Sequence, residues 1–526
     1  MRYLQSIRVC PPRSRAAARR VRSTAVWMFT SAIAFTPAGR LASAQTTVRI
    51  NLGPGGIETN AHSGLCAICM DGRYAAFESL ADNLIDDDTN EVADMFVCDL
   101  TTGELIRASV DSNGVETNLP VFEPSLSGDG RFITFSSLSD TLVPDDDNDV
   151  FDIFLRDRDV DEDGLFDEPE AVATTRVSVS SAGQESDGDS DLARISGDGR
   201  FIAFASTATD LVESDGNNVS DIFVHDRIAG TTERVSKASD GEEGFGPSFS
   251  CSISGDGRFV AFDSFASNLV DNDDNGNSDI FVHDRETGET QRVSLRFDGT
   301  STMGYSLAPS ISADGSRIAF ASNAPDLVEN DSNRHVDVFV RDLLTETTVL
   351  ASRSTEGVQG DADSFSSAIS ADGGHVTFVS PSNTLVPDDG NGVEDVFTHD
   401  IDSGTTLRAS LAADGSEGNL QSLSPAISGD ATIVLFRSAA VNLVEDDLNG
   451  FVDVFARQSG GSGCEGALPG DITGDGAVDA QDVADFVGTL LDGPPWLPDE
   501  LCAADLNQDG QIDGDDVPPF ILLLDE

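Results

Sequence analysis

Positive charge is what this sequence has least of. Its 526 residues hold 31 Lys and Arg against 93 Asp and Glu, a formal charge of −62. Such a field repels nucleic acid and anionic membranes, whose binding depends on basic patches, and it attracts divalent cations. Long apolar runs are missing too: outside residues 25–35, nothing approaches the ~18 residues that mark a membrane span. No Gly-x-Ser-x-Gly occurs, so a serine hydrolase elbow is unsupported. The 6 His and 7 Cys are scattered, unlike a disulfide framework. Acidic chains are disordered when hydrophobic content is low. Here 39% of residues are hydrophobic and 30 are Phe, enough for a large core.

What the sequence does have is a repeat. Residues 195–236 read ISGDGRFIAFASTATDLVESDGNNVSDIFVHDRIAGTTERVS, and variants of that stretch occur seven times. The Asp-Gly turn recurs at Asp71, Asp129, Asp198, Asp256, Asp314 and Asp372, and at Asp430 with Ala in place of Gly. The spacing is 58 residues throughout, except for 69 between Asp129 and Asp198. Each copy patterns as four short strands, exemplified by 124–127, 201–205, 221–225 and 232–236. The first two are joined by the Asp-Gly turn, where Gly accepts positive φ. No copy carries the sustained 3.6-residue apolar period of a helical solenoid. A fixed period of four-stranded units predicts a mainly β chain folded as a β-propeller.

The seventh copy, from Ser422 to about Arg457, stops after its third strand. The missing strand is at the other end: Val48-Arg49-Ile50-Asn51 stands in phase with Ile106-Arg107-Ala108-Ser109. This N-terminal segment is expected to complete blade seven, closing a seven-bladed ring over residues 46–457 and leaving only short edges. Residues 1–44 hold eight Arg, no acid, the apolar run 25–35 and then Ala42-Ser43-Ala44. That order reads as a secretory signal peptide, by the general rather than the twin-arginine route. The mature protein is expected outside the cytoplasm, extracellular, at the cell surface or periplasmic, without a membrane span.

The loop before each third strand repeats D-x-N-x-x-x-D. The copies are Asp88/Asn90/Asp94, Asp146/Asn148/Asp152, Asp215/Asn217/Asp221, Asp273/Asn275/Asp279, Asp331/Asn333/Asp337, Asp389/Asn391/Asp395 and Asp447/Asn449/Asp453. Clustered carboxylate and amide oxygens suit a hard cation; the same residues can instead bond their own backbone and shape the turn. Arg107, Arg176, Arg234, Arg292 and Arg408 also recur, with Leu350 the exception, and are expected to pair with blade aspartates. The second copy's 11 extra residues include Asp159, Asp161, Asp163, Gly164 and Asp167 at calcium-loop spacing. They read as a calcium loop or an acidic solvated one, extending a hairpin between third and fourth strands. His225, His283 and His399 share one repeat position, held elsewhere by Arg or Cys98, and are expected to be solvated strand residues. Cys66 and Cys69 form C-x-x-C on a strand, so they read as buried small residues rather than a redox pair.

The turn and strand Ser196-Gly197-Asp198-Gly199-Arg200-Phe201-Ile202-Ala203-Phe204 and its six looser counterparts resemble the TolB-like (WD40-like) propeller family. The resemblance speaks to fold. TolB's N-terminal α/β domain has no counterpart here, and its partner-binding role is not carried over.

Residues 458–469 read as a flexible linker. After it, Asp471, Thr473, Asp475, Ala477, Asp479 and Asp482 stand at loop positions 1, 3, 5, 7, 9 and 12, with Gly476 at position 6. Asp505, Asn507, Asp509, Gln511, Asp513 and Asp516 repeat the arrangement 34 residues on, with Gly510 at position 6. Side-chain oxygens with the position-7 carbonyls (Ala477, Gln511) and a Gly for the sharp turn wrap one calcium ion each. With Asp rather than Glu at position 12, the pair over 470–526 resembles a type I dockerin. That resemblance implies Ca2+ and a cohesin-like protein partner. Thr473 is a weaker ligand than the family's usual acid or amide, and Pro518-Pro519 shortens the last helix. Ala480-Gln481 and Gly514-Asp515 make the two halves unlike where dockerins choose a partner. Cys464 and Cys502 are expected to form a disulfide.

The chain therefore reads as an exported calcium-binding protein, its propeller a scaffold for a protein or polysaccharide ligand and its C-terminal module a docking device. The alternatives are a polysaccharide-degrading hydrolase or lyase (no catalytic residue stands out) and a structural surface protein.

Overall fold

The computed structural model describes residues 46–387 and 389–458. The expected export segment, the expected linker, the two EF-type loops and the expected Cys464–Cys502 disulfide lie outside the described residues.

Seven four-stranded antiparallel sheets follow one another along the chain. Blade one consists of Ser63–Ile68, Tyr74–Ser79, Asp94–Asp99 and Leu105–Arg107, in order from the axis outward. Blade seven consists of Ser422–Ile427, Ile433–Ser438 and Asp453–Gln458, and Thr46–Arg49 supplies its outer strand. Thr46 pairs with Gln458 and Arg49 with Phe455, so the ring closes as the repeat phase requires. A small hairpin, Leu52–Gly53 with Ile57–Glu58, follows the closing strand.

Two residues per blade hold the sheets together. The Phe of each second strand stacks on the Phe of its own third strand, with centroids 6.0 Å apart for Phe77 and Phe96 and 5.8 Å for Phe436 and Phe455. These rings fill apolar layers shared by adjacent blades, such as the one joining Phe77 to Leu435 and Val454. Their number explains the Phe content: each full burial of a large side chain contributes ~1.5–3 kcal/mol.

The Asp-Gly turns do more than reverse the chain. Gly72, Gly130 and Gly199 sit at φ of 72°, 74° and 70°, and Ala431 takes the same left-handed conformation at 59°. At the residue before the Asp of these turns, main-chain N–H groups bond to the next blade: Gly128 N to Gly197 O at 2.8 Å, Gly255 N to Ala313 O at 2.8 Å, Ala371 N to Gly429 O at 3.1 Å, Gly429 N to Met70 O at 2.8 Å. Asp71, Asp198 and Ala313 complete a circle of seven such links. The circle needs small residues, because a Cβ on Gly128 would approach Gly197 O to 2.8 Å. Met70 is the one long side chain at this position, its Sδ lying against Gly128 and Gly197 and narrowing the channel at the turn end.

Two expectations change. The insert in blade two does not lengthen a hairpin, since its strands end at Asp157 and resume at Ala173. Instead Arg158 bonds Asp167 at 2.6 Å and lies 4.5 Å over the Tyr74 ring, folding the insert back onto blade one. Asp167 is therefore engaged in an ion pair. His225, His283 and His399 are buried, at 7%, 1% and 0% exposure, rather than solvated. Each Nδ1 lies 2.8–2.9 Å from the hydroxyl of the Thr facing it on the fourth strand, Thr232, Thr290 or Thr406. Arg156, Arg341 and Arg457 make the same bond to Thr174, Thr348 and Thr47. Cys98, the remaining variant, faces Leu105.

Candidate functional site

The D-x-N-x-x-x-D loops form pockets at the blade edges. In blade one, Asn90 Oδ1 accepts the Val92 N–H and Asn90 Nδ2 donates to Asp94 Oδ2 at 2.9 Å. The loop thus shapes itself, and the charge it gathers is met from within the chain. Arg107 Nη1 reaches Asp88 at 3.3 Å, Asp94 at 3.5 Å and Glu116 at 2.8 Å. Arg176 with Asp146, Asp152 and Glu185 repeats this cluster, as does Arg408 with Asp389, Asp395 and Glu417. Arg234 does the same in blade three with Asp215, Asp221 and Glu243, and Arg292 in blade four meets Asp273, Asp279 and, in place of a glutamate, the Ser301 hydroxyl. Arg49 does so across the ring closure, with Glu58, Asp447 and Asp453 at 3.0–3.2 Å. Burial, with the second aspartate adding to it, pushes the Asp88, Asp146, Asp215 and Asp273 carboxyls up to about 6. In these six pockets the cation is an arginine.

The second site is the axis. A cavity of about 420 Å³ is lined by the innermost strands of all seven blades. Each of those strands carries a bulge, as between Asp191 and Arg194, and five place a non-glycine residue at positive φ, including Glu123 at 61° and Leu192 at 55°. Bulges re-aim side chains and leave amides without a ladder partner. Carboxylates absent from the other repeats take up those amides: Glu78 accepts from Leu65 N at 3.2 Å, Glu123 from Leu192 N at 2.7 Å and Asp263 from Ser250 N at 3.0 Å. Arg194 and Glu123 line the cavity itself. Burial, and then the charges of Glu123 and Asp189, push the Asp191 carboxyl up to about 6.

Around the channel mouth, on the face that bears the D-x-N loops, apolar rings are exposed. Phe122 and Phe249 project from innermost strands at 37% and 42% exposure, and Phe265 follows a second strand at 46%. Phe249 and Phe265 meet edge to face, 6.2 Å apart at 85°. Nothing in the periodic pattern marks these residues, because they stand where other copies vary freely.

The remaining candidates are quieter. Asp159, Asp161 and Asp163 bring carboxylate oxygens within 4.8 Å of one another, but Asp159 already accepts the Asp163 and Gly164 amides. Burial lowers the His225, His283 and His399 imidazoles, the last two to about 4, so they are neutral Thr partners. The Cys66, Cys69, Cys98 and Cys251 thiols are free and pushed up to about 12, chiefly by burial. Cys69 replaces the Ser of the turn, donating to Asp71 Oδ1 at 2.8 Å. No helix among the described residues is long and apolar enough to cross a membrane.

Residues 469–518 match the dockerin type I domain family. No curated protein matches the sequence. Among solved structures, an oligogalacturonate lyase from Vibrio parahaemolyticus aligns at 11% identity and a TM-score of 0.45, over 78% of this chain and 93% of its own. The β-propeller domain of the Trilobed protease from Pyrococcus furiosus aligns at 12% and 0.43, over 76% and 93%. A putative TolB from Agrobacterium tumefaciens aligns at 16% and 0.35, over 66% and 88%. The chain thus joins a seven-bladed β-propeller to a dockerin type I domain at residues 469–518.

Proposed function

We propose that this is an exported, calcium-dependent adaptor. Its propeller holds a protein or polysaccharide ligand over the channel mouth, and its dockerin domain docks onto a cohesin-like partner. The observation that carries the reading is the exposed aromatic set Phe122, Phe249 and Phe265 on the loop-bearing face. Aromatic faces beside carboxylates suit sugar rings or an apolar peptide. On the docking side, Asp471, Thr473, Asp475, Ala477, Asp479 and Asp482, then Asp505, Asn507, Asp509, Gln511, Asp513 and Asp516, would hold one calcium ion in each loop. Side-chain oxygens supply the charge and the two position-7 carbonyls complete the shell.

Affinity electrophoresis of the full chain against a panel of soluble polysaccharides and peptides, repeated with Phe249→Ala and Phe265→Ala, tests the propeller. Retardation by at least one ligand that both substitutions weaken is expected. Equal mobility of wild type and variants on every ligand would sink the assignment of this face. Cohesin capture with calcium and with chelator tests the dockerin separately.

A second reading, a glycan-cleaving enzyme, is favoured by Asp191, a carboxyl pushed up to about 6 beside the Glu123 carboxylate. Such a pair can divide acid and base roles. Reducing-sugar release that Asp191→Asn abolishes would support it, and no release on any glycan would dispose of it.

A further inference from the structure

Blade five breaks the pattern of arginine-filled pockets. Leu350 stands opposite Phe339 on the fourth strand, where blade one has Arg107 opposite Phe96. It is 7% exposed and belongs to the apolar layer with Phe339. Gln359 stands where blades one, two, three, six and seven carry a glutamate, such as Glu116, and blade four carries Ser301. The two aspartates remain. Asp337 is fully buried, and its Oδ1 accepts the Ser352 hydroxyl at 2.6 Å. Its Oδ2 has no hydrogen-bond partner among the described residues. In the other six blades the equivalent oxygen faces an arginine Nη1 at 3.2–3.7 Å. Asn333 donates to Gly360 O at 3.1 Å, and at Asp331 Oδ1 the Gln359 amide, at 3.5 Å, stands in place of a guanidinium. A buried carboxylate oxygen aimed at the place of a missing cation is costly unless something positive arrives there.

We propose that the blade-five loop binds one calcium ion between Asp331 and Asp337, where arginine stands in the other blades. The donors are carboxylate oxygens, and neither sulfur nor imidazole takes part. That set selects a hard cation. His335, the nearest imidazole in the loop, is engaged with Asp363 at 3.0 Å. The site shares no residue with the aromatic set or with the dockerin loops.

The test uses the full chain with Asp475→Ala and Asp509→Ala, which disable the two EF-type loops. It is dialysed against calcium chloride, and bound calcium is counted by mass spectrometry of the metal. Against that background Leu350→Arg places a guanidinium in the pocket, and Asp337→Asn removes the buried charge. Circular dichroism confirms that each variant is folded. One fewer calcium ion per chain in either folded variant is expected. An unchanged count in both overturns the proposal.

Discussion

Replacing Arg107 with Ala tests the electrostatics of the blade pockets most directly. The guanidinium is 8% exposed, and its Nη1 sits within 3.5 Å of Asp88, Asp94 and Glu116. Removing one member of a buried ion cluster strands the others, at a cost of ~3–5 kcal/mol. For a propeller of ~410 residues the unfolding entropy is about 0.9 kcal/mol/K, so the melting temperature should fall by ~3–6 °C at pH 7.5. The pH dependence follows from Asp88, whose carboxyl burial lifts to about 6 from 3.8. A carboxyl with a raised folded-state pKa takes up a proton on folding, so its contribution to stability grows as pH falls through 6 toward 4. Arg107 holds that pKa down, and the variant raises it further. The variant therefore regains more than wild type on going to pH 5, and the gap narrows by about 1 kcal/mol for a rise of one pKa unit. Scanning calorimetry in chelator, which keeps metal from entering the emptied pocket, reads both numbers. A cost below ~1 kcal/mol at pH 7.5, or the same cost at both pH values, would refute the reasoning.

Three further outcomes are expected. Asn51 is fully buried and bonds Ser63 at 2.9 Å, Asp453 at 2.7 Å and the Val454 amide at 3.1 Å across the ring closure. Asn51→Ala should therefore cost ~2–4 kcal/mol in urea unfolding; a loss under ~1 kcal/mol would deny the closure its hydrogen bonds. The Cys66, Cys69, Cys98 and Cys251 thiols, pushed up to about 12, should not react with a disulfide reagent at pH 8 until denaturant is added. Chelator should abolish helical circular dichroism from the dockerin domain while leaving the propeller's thermal transition in place, because metal binding there is coupled to folding.

The blade count, the strand order and the origin of the closing strand were all legible in the 58-residue phase and the truncated seventh copy. Period and turn chemistry are properties of sequence. Arg107 and its equivalents were also readable as partners of the blade aspartates. What escaped is lateral: His225 and Thr232 lie on neighbouring strands, and their pairing emerges only once the register is fixed. The insert around Asp159 misled because Arg158 stacks on Tyr74 of the preceding blade, a contact with no trace in local spacing. Phe249 and Glu123 went unremarked for the opposite reason. Function in a repeat protein resides where copies differ, and a search for periodicity discards those positions first.

The closing seam has a kinetic side. Thr47 and Arg457 are 410 positions apart, so the first strand made has no partner until the last one is complete. Six blades can form from neighbours in sequence, whereas the seventh waits for nearly the whole chain and should limit the folding rate. Until then Thr46–Arg49 is a free β edge, able to insert into the unfinished seventh sheet of a second molecule. High protein concentration during refolding should therefore favour exchanged dimers held by the same four residue pairs that seal the monomer.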